Sequence, residues 1–143
     1  MKKTVYVDMD DTICDYTGEY EHIKKELGIK YPQSQYGFYR NLRPKRDALK
    51  SLLELERLGY EVCIATRPSF NNPLCYTEKV EWIRYHLGDD WVKRVYIVPD
   101  KSKLIGDYLI DDNYWDFNGE LIMYNDDDWN WERIVNRLAL ELW

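Results

Sequence analysis

The chain holds few of the residues that staple or bind metal in small proteins. Three cysteines, Cys14, Cys63 and Cys75, have no C-x-x-C spacing and are odd in number, which argues against a disulfide framework and suits a reducing compartment. Two histidines, His22 and His86, fall among charged neighbours on predicted helices and read as surface residues rather than metal ligands. No excess of basic residues exists: the formal charge is −6, which argues against extended nucleic-acid binding. No apolar run approaches the length needed to cross a bilayer, and Met1-Lys2-Lys3 leads into the first strand without an apolar signal segment. These absences together predict a cytoplasmic protein with no membrane partner. Repeats, low-complexity tracts and long linkers are also missing. At 143 residues the chain fits a single domain over 1–143 and leaves no room for a second.

What remains is an alternation of apolar runs and amphipathic stretches. Runs near 4–8, 60–65, 94–98, 108–111 and 120–124 read as strands. Helices are expected over about 16–27, ending at Gly28, and over 44–58, opened near Pro44 and closed by Gly59. Two more are expected over 76–87, ending at Gly88, and over 129–142. Such an order predicts an α/β fold of three layers, doubly wound around a mainly parallel five-stranded sheet with right-handed crossovers. Reactive groups in such folds collect at the carboxyl ends of the strands.

The first strand ends in Val7-Asp8-Met9-Asp10-Asp11-Thr12. Residues one apart lie on one side of an extended backbone, so Asp8 and Asp10 can face a common centre while Met9 turns away. Crowded carboxylates need a compensating cation or proton. Magnesium would supply it and bind a substrate phosphate, leaving one carboxylate to attack phosphorus and the other to carry a proton. The second run ends in Thr66-Arg67-Pro68, where the threonine hydroxyl and the Arg67 amide can donate to phosphate oxygens. A third is followed by Asp100-Lys101, with Lys103 as a rival to Lys101, and the fourth ends in Asp111-Asp112-Asn113.

Four such strand ends in this order resemble the motifs of the haloacid dehalogenase superfamily, most of whose members are phosphatases. The stretch from Tyr76 to Ile83, then Leu87-Gly88, Asp100-Lys101-Ser102, Leu109 to Asp112 and the tail Asp127-Asp128-Trp129-Asn130-Trp131 are similar to the 5′(3′)-deoxyribonucleotidase family. Better-known members tend to have Gly and an aliphatic residue at the positions of Asp11 and Thr12, and Ser at that of Arg67. The resemblance implies that Asp8 is the nucleophile, that Asp10 is the general acid and base, and that Lys101 screens nucleophile and phosphate. It implies magnesium held by Asp8, Asp10 through its main-chain carbonyl, and one of Asp111 and Asp112; Asp112 is favoured, with Asp111 orienting Lys101 or a metal-bound water. It also implies that the first strand lies between the second and the fourth, and that the substrate is a small phosphomonoester, a deoxynucleotide in the narrower family.

Related enzymes insert a cap between the first motif and the long helix. Here that segment, about 15–43, is a short helical and loop piece rich in aromatic residues. Tyr36, Phe38 and Tyr39 are candidates for stacking on a nucleobase, and covering the edge of the core is the alternative role for the same rings. A short cap also suits another small phosphometabolite or a polynucleotide end. A catalytically silent binding protein on the same fold is the alternative of a different class.

Overall fold

The computed structural model describes residues 1–142. Its centre is a five-stranded, all-parallel sheet in the order β3-β2-β1-β4-β5. The strands are β1 (Thr4–Val7), β2 (Glu61–Thr66), β3 (Val95–Ile97), β4 (Tyr108–Asp111) and β5 (Glu120–Met123). Five helices accompany them: α1 (Tyr16–Leu27), α2 (Ala48–Leu58), α3 (Leu74–Leu87), the short α4 (Asp89–Val92) and α5 (Trp131–Leu140). The sheet places β1 between β2 and β4, with Val7 beside Ile64 on one side and Ile110 on the other.

Alternation along the strands builds two cores, since successive side chains leave opposite faces of a sheet. Val5, Val7, Val62, Ile64 and Ile110 join α2, α3 and α5 in the larger cluster. Tyr6, Cys63, Ala65 and Leu109 point the other way and meet Leu104 and Phe117. That second face is covered by a 3-10 turn (Lys101–Lys103) and by the loop between β4 and β5, so the third layer is made of turns instead of long helices.

Helix α2 starts four residues later than the expected start at 44. Asp47 is left-handed, with φ 65°, which interrupts helical continuation. The residues before it are used otherwise: Arg43 accepts from the Asp15 amide at 2.8 Å and the Lys45 amide donates to Ile13 at 2.8 Å, tying this stretch to the loop after β1. α3 starts two residues before the expected boundary and buries Cys75, Glu78, Lys79, Trp82 and Ile83, a stripe at helical spacing that carries two charged residues. α5 begins on Asn130, whose side chain accepts from the Arg133 amide at 3.1 Å, and α2 packs against it.

Trp131 connects this frame to the loop after β1. It is 1% exposed, and its indole N–H donates to the Thr12 carbonyl at 2.9 Å. Trp131→Phe both shrinks the side chain and orphans a buried carbonyl. It should lower unfolding free energy by about 2 kcal/mol in urea titrations; an unchanged midpoint would show that this bond contributes nothing.

Candidate active site

The parallel sheet delivers the expected acids to one edge. The Asp8 amide continues the ladder by donating to Ile110 at 2.9 Å, which holds Asp8 at the end of β1 beside Asp111 at the end of β4. The chain then turns sharply: the Met9 carbonyl accepts from the amides of Thr12, Ile13 and Cys14 at 3.1, 2.9 and 2.9 Å. Met9 is buried, away from the acids. The turn needs a left-handed residue, and Asp11 takes that role with φ 62°. Its carboxylate accepts from the Thr17 amide at 2.9 Å and the Thr17 hydroxyl at 2.6 Å, clasping the start of α1. An aspartate therefore stands where glycine is the easier choice, supported by its own side-chain bonds.

Lys101 lies between the two innermost acids. Its Nζ donates to Asp8 Oδ1 at 2.6 Å and to Asp111 Oδ2 at 2.6 Å, and the ammonium is 2% exposed. Burial opposes its charge, but Asp8 and Asp111 outweigh burial and hold the pKa above its ordinary value. Lys103 is exposed and is no longer a rival. The other Asp111 oxygen accepts from the Asn113 amide at 2.9 Å. Thr12 Oγ1 lies 3.1 Å from Asp8 Oδ2 and 3.3 Å from Asp112 Oδ1, so the two acids converge on one hydroxyl.

A second buried lysine serves Asp10. Lys79 Nζ donates to Asp10 Oδ2 at 2.8 Å and to Thr66 Oγ1 at 2.7 Å, and lies 4.9 Å from the centre of the Tyr39 ring. Asp10 Oδ1 is buried without a hydrogen-bond partner. Burial raises the Asp10 pKa and the Asp8 charge adds to this, while Lys79 opposes them. Lys79 had no place among the residues expected from strand ends, because it comes from α3. Its signal was two charges, Glu78 and Lys79, inside the stripe Cys75, Trp82, Ile83. Glu78 is itself buried and accepts from the amides of Gly37, Tyr39 and Arg40 at 2.7, 3.1 and 3.3 Å.

The cap aromatics require a correction. Phe38 and Tyr39 are 3% and 4% exposed, packed with Tyr16 in the larger core, and present no free face to a base. Of the three rings only Tyr36 is exposed, and the Arg40 guanidinium covers it at 5.2 Å. Glu78 causes this: by drawing three amides onto α3 it seats the segment's rings inward. Arg67 is exposed at the rim, its guanidinium 5.1 Å from the Phe70 ring.

The acids fit a hard divalent cation. Asp8, Asp111 and Asp112 each offer an oxygen within 4.8 Å of the others, an oxygen-only donor set of the kind magnesium takes. Asp10 is not in that group through its carboxylate, which faces Lys79. Charge crowding is marked. Burial and then Asp8 push Asp111 up to about 6, against Lys101, and burial and Asp8 push Asp112 up to about 8. No described helix is long and apolar enough to cross a membrane.

Comparison with known proteins agrees with this geometry. A family model described as "5′ nucleotidase, deoxy (Pyrimidine), cytosolic type C protein" matches residues 23–131. The chain is 32% identical over 100 residues to the cytosolic-type 5′(3′)-deoxyribonucleotidase of Homo sapiens, covering 69% of this chain and 47% of that protein. A Vibrio phage KVP40 protein, provisionally assigned the same enzyme name, is 26% identical over 149 residues, covering 98% of this chain and 86% of its own. Apart from the phage protein, the chain spans about half the length of the first curated relatives it matches. A haloacid dehalogenase-like hydrolase from Xanthomonas campestris superposes with a TM-score of 0.54 at 12% identity, over 98% of this chain and 97% of that one. That likeness shows the fold.

The raised Asp112 pKa sets a sign for stability. A carboxyl raised on folding contributes stability at low pH that is lost as pH climbs through its folded value of about 8. In chelator, Asp112→Asn should therefore raise Tm by roughly 3 °C or more near pH 9 and by clearly less near pH 5, since the loss accumulates from the ordinary carboxylate value up to about 8. Magnesium should stabilise the unaltered protein more at the higher pH, by scanning calorimetry. A difference in Tm that ignores pH would rule out charge crowding at this position.

Proposed function

Because the chain belongs to the cytosolic type C family of deoxy (pyrimidine) 5′-nucleotidases, we propose that it is a magnesium-dependent phosphomonoester hydrolase, a 5′(3′)-deoxyribonucleotidase working through an aspartyl-phosphate. One observation carries this reading: the buried ammonium of Lys101 on Asp8, beside an Asp10 carboxyl whose Oδ1 has no partner. Lys101 donates to Asp8 Oδ1 and sets a positive charge beside the attacking carboxylate.

Asp8 attacks phosphorus in line, forming an oxygen–phosphorus bond as the ester bond to the leaving oxygen breaks. Asp10 gives that oxygen its proton. Lys79 occupies Oδ2, which leaves Oδ1 as the oxygen to carry the transferable proton, and burial raises the Asp10 pKa in the direction a general acid needs. Thr66 accepts from Lys79, which leaves its own hydroxyl proton free to donate to a phosphate oxygen. In the second half, Asp10 takes a proton from water as that water attacks phosphorus, releasing phosphate and restoring Asp8. Asp8 and Asp112, with the Asp10 carbonyl and Asp111 nearby, would hold magnesium, which would supply Lewis-acid neutralisation of the phosphate charge. Lys101 and Lys79 bring further positive charge to the transferring group.

The three cysteines are all free and buried, which supports the cytoplasmic reading. No cap residue lines the cavity over Asp8 and Asp10, an openness that also suits other small phosphomonoesters or a polynucleotide end.

Asp8→Asn should cut phosphate release by at least about 100-fold while retaining the fold, because it removes one charge from a crowded cluster. Phosphate assays alongside circular dichroism would check both. Full activity in the variant would reject the covalent route.

A further inference from the structure

In-line displacement places the leaving group opposite the attacking oxygen. A phosphate seated over Asp8 thus sends its ester oxygen, and whatever that oxygen carries, away from the strand ends and toward the mouth of the cavity. This cavity, about 420 Å³, has the carboxylates and Lys101 at its floor and Arg67, Tyr114 and Trp115 toward its mouth. The mouth residues come from the loops after β2 and β4, the two strands that flank β1. Phe38 and Tyr39 are buried in the core, and Tyr36 is not part of this cavity.

Large rings are exposed around the mouth. Tyr114 is 75% exposed and Phe70 63%, although neither position is at a chain end or needs an aromatic to cap a core. Trp115 is partly buried and packs on the second core, with the Lys101 ammonium 5.8 Å from its ring, so it forms a fixed wall. Arg67 is positioned by Phe70 and carries a planar cation. Flat apolar faces beside planar charge, set above a phosphate pocket, match a ligand with a phosphate at one end and a planar aromatic ring at the other.

We propose that the loops after β2 and β4 form the leaving-group subsite, in which Tyr114, with Trp115 and Arg67 as its walls, stacks on a planar ring of the nucleobase type. The proposal rests on the hydrolase reading for the position of the phosphate and moves ring recognition from the cap to the sheet edge. Tyr114 is a specificity residue here and takes no part in the chemistry.

The test compares the deoxynucleoside 5′-monophosphates with deoxyribose 5-phosphate, which keeps the phosphate and sugar but lacks the ring. Tyr114→Ala should raise KM for the nucleotides about tenfold and leave KM for the sugar phosphate unchanged, with an unchanged Tm. Calorimetric titration of the same ligands into Asp8→Asn protein, with and without Tyr114→Ala, should show the same split in Kd. Equal effects on both ligands, no effect on either, or the split appearing instead in Tyr36→Ala would overturn the subsite. If the unaltered protein cleaves nothing yet binds nucleotides through Tyr114, the hydrolase reading fails and the subsite stands. Binding of neither ligand overturns the subsite.

Discussion

The ammonium of Lys101, buried between Asp8 and Asp111, is the interaction on which the site depends. Two carboxylates at the ends of adjacent parallel strands repel, and burial makes the repulsion costlier. A lysine entering from a 3-10 turn between β3 and β4 neutralises that pair from beneath. Its removal would leave buried charge without a partner, a change that costs about 3–5 kcal/mol in comparable buried pairs. The compensation is incomplete: Asp112 remains crowded, and its pKa is raised. Asp8, Asp111 and Asp112 thereby bring carboxylate oxygens within 4.8 Å of one another, a donor set that suits a hard divalent cation.

α3 performs a parallel task for the other half of the chemistry. Its buried stripe carries Glu78 and Lys79 side by side, and each charge is satisfied by a different partner. Glu78 gathers three amides of the segment around 37–40, which requires Gly37 in a left-handed turn at φ 82°. Lys79 holds Asp10 and Thr66 together across the gap between β1 and β2. One helix therefore fixes the segment around 37–40 against the core and orients the Asp10 carboxylate. The rings of Phe38 and Tyr39 are consumed in that packing, and the exposed ring at the cavity over the acids is Tyr114, from the loop after β4.

Much of this was legible in the residues because strand periodicity and strand-end chemistry are local. The runs ending at Asp8, Thr66 and Asp111 read as strands, and the structure has them as β1, β2 and β4, adjacent in the sheet. Helix starts were harder to read. Pro44 is a fair opening signal, yet Arg43 and Lys45 bond to the loop after β1 and Asp47 turns left-handed, so α2 waits until Ala48. Lys79 was hidden because a lysine on a helix is ordinarily exposed, and only its place between Cys75 and Trp82 marked it as buried. The aromatic segment was ambiguous for the same reason: sequence shows a ring's identity, whereas its facing depends on a carboxylate 40 residues away.

The sequence by itself determined the α/β class, the strand-end acids and the kind of chemistry they support, since each depends on neighbours one or two residues apart. Tertiary structure alone decided which lysine holds which carboxylate, that Phe38 and Tyr39 are buried in the core, and that Arg67 and Tyr114 share one cavity mouth. Those outcomes turn on ion pairs, burial and convergence between segments far apart in the chain. Their energies arise only once water has been excluded and distant backbone has been fixed in place.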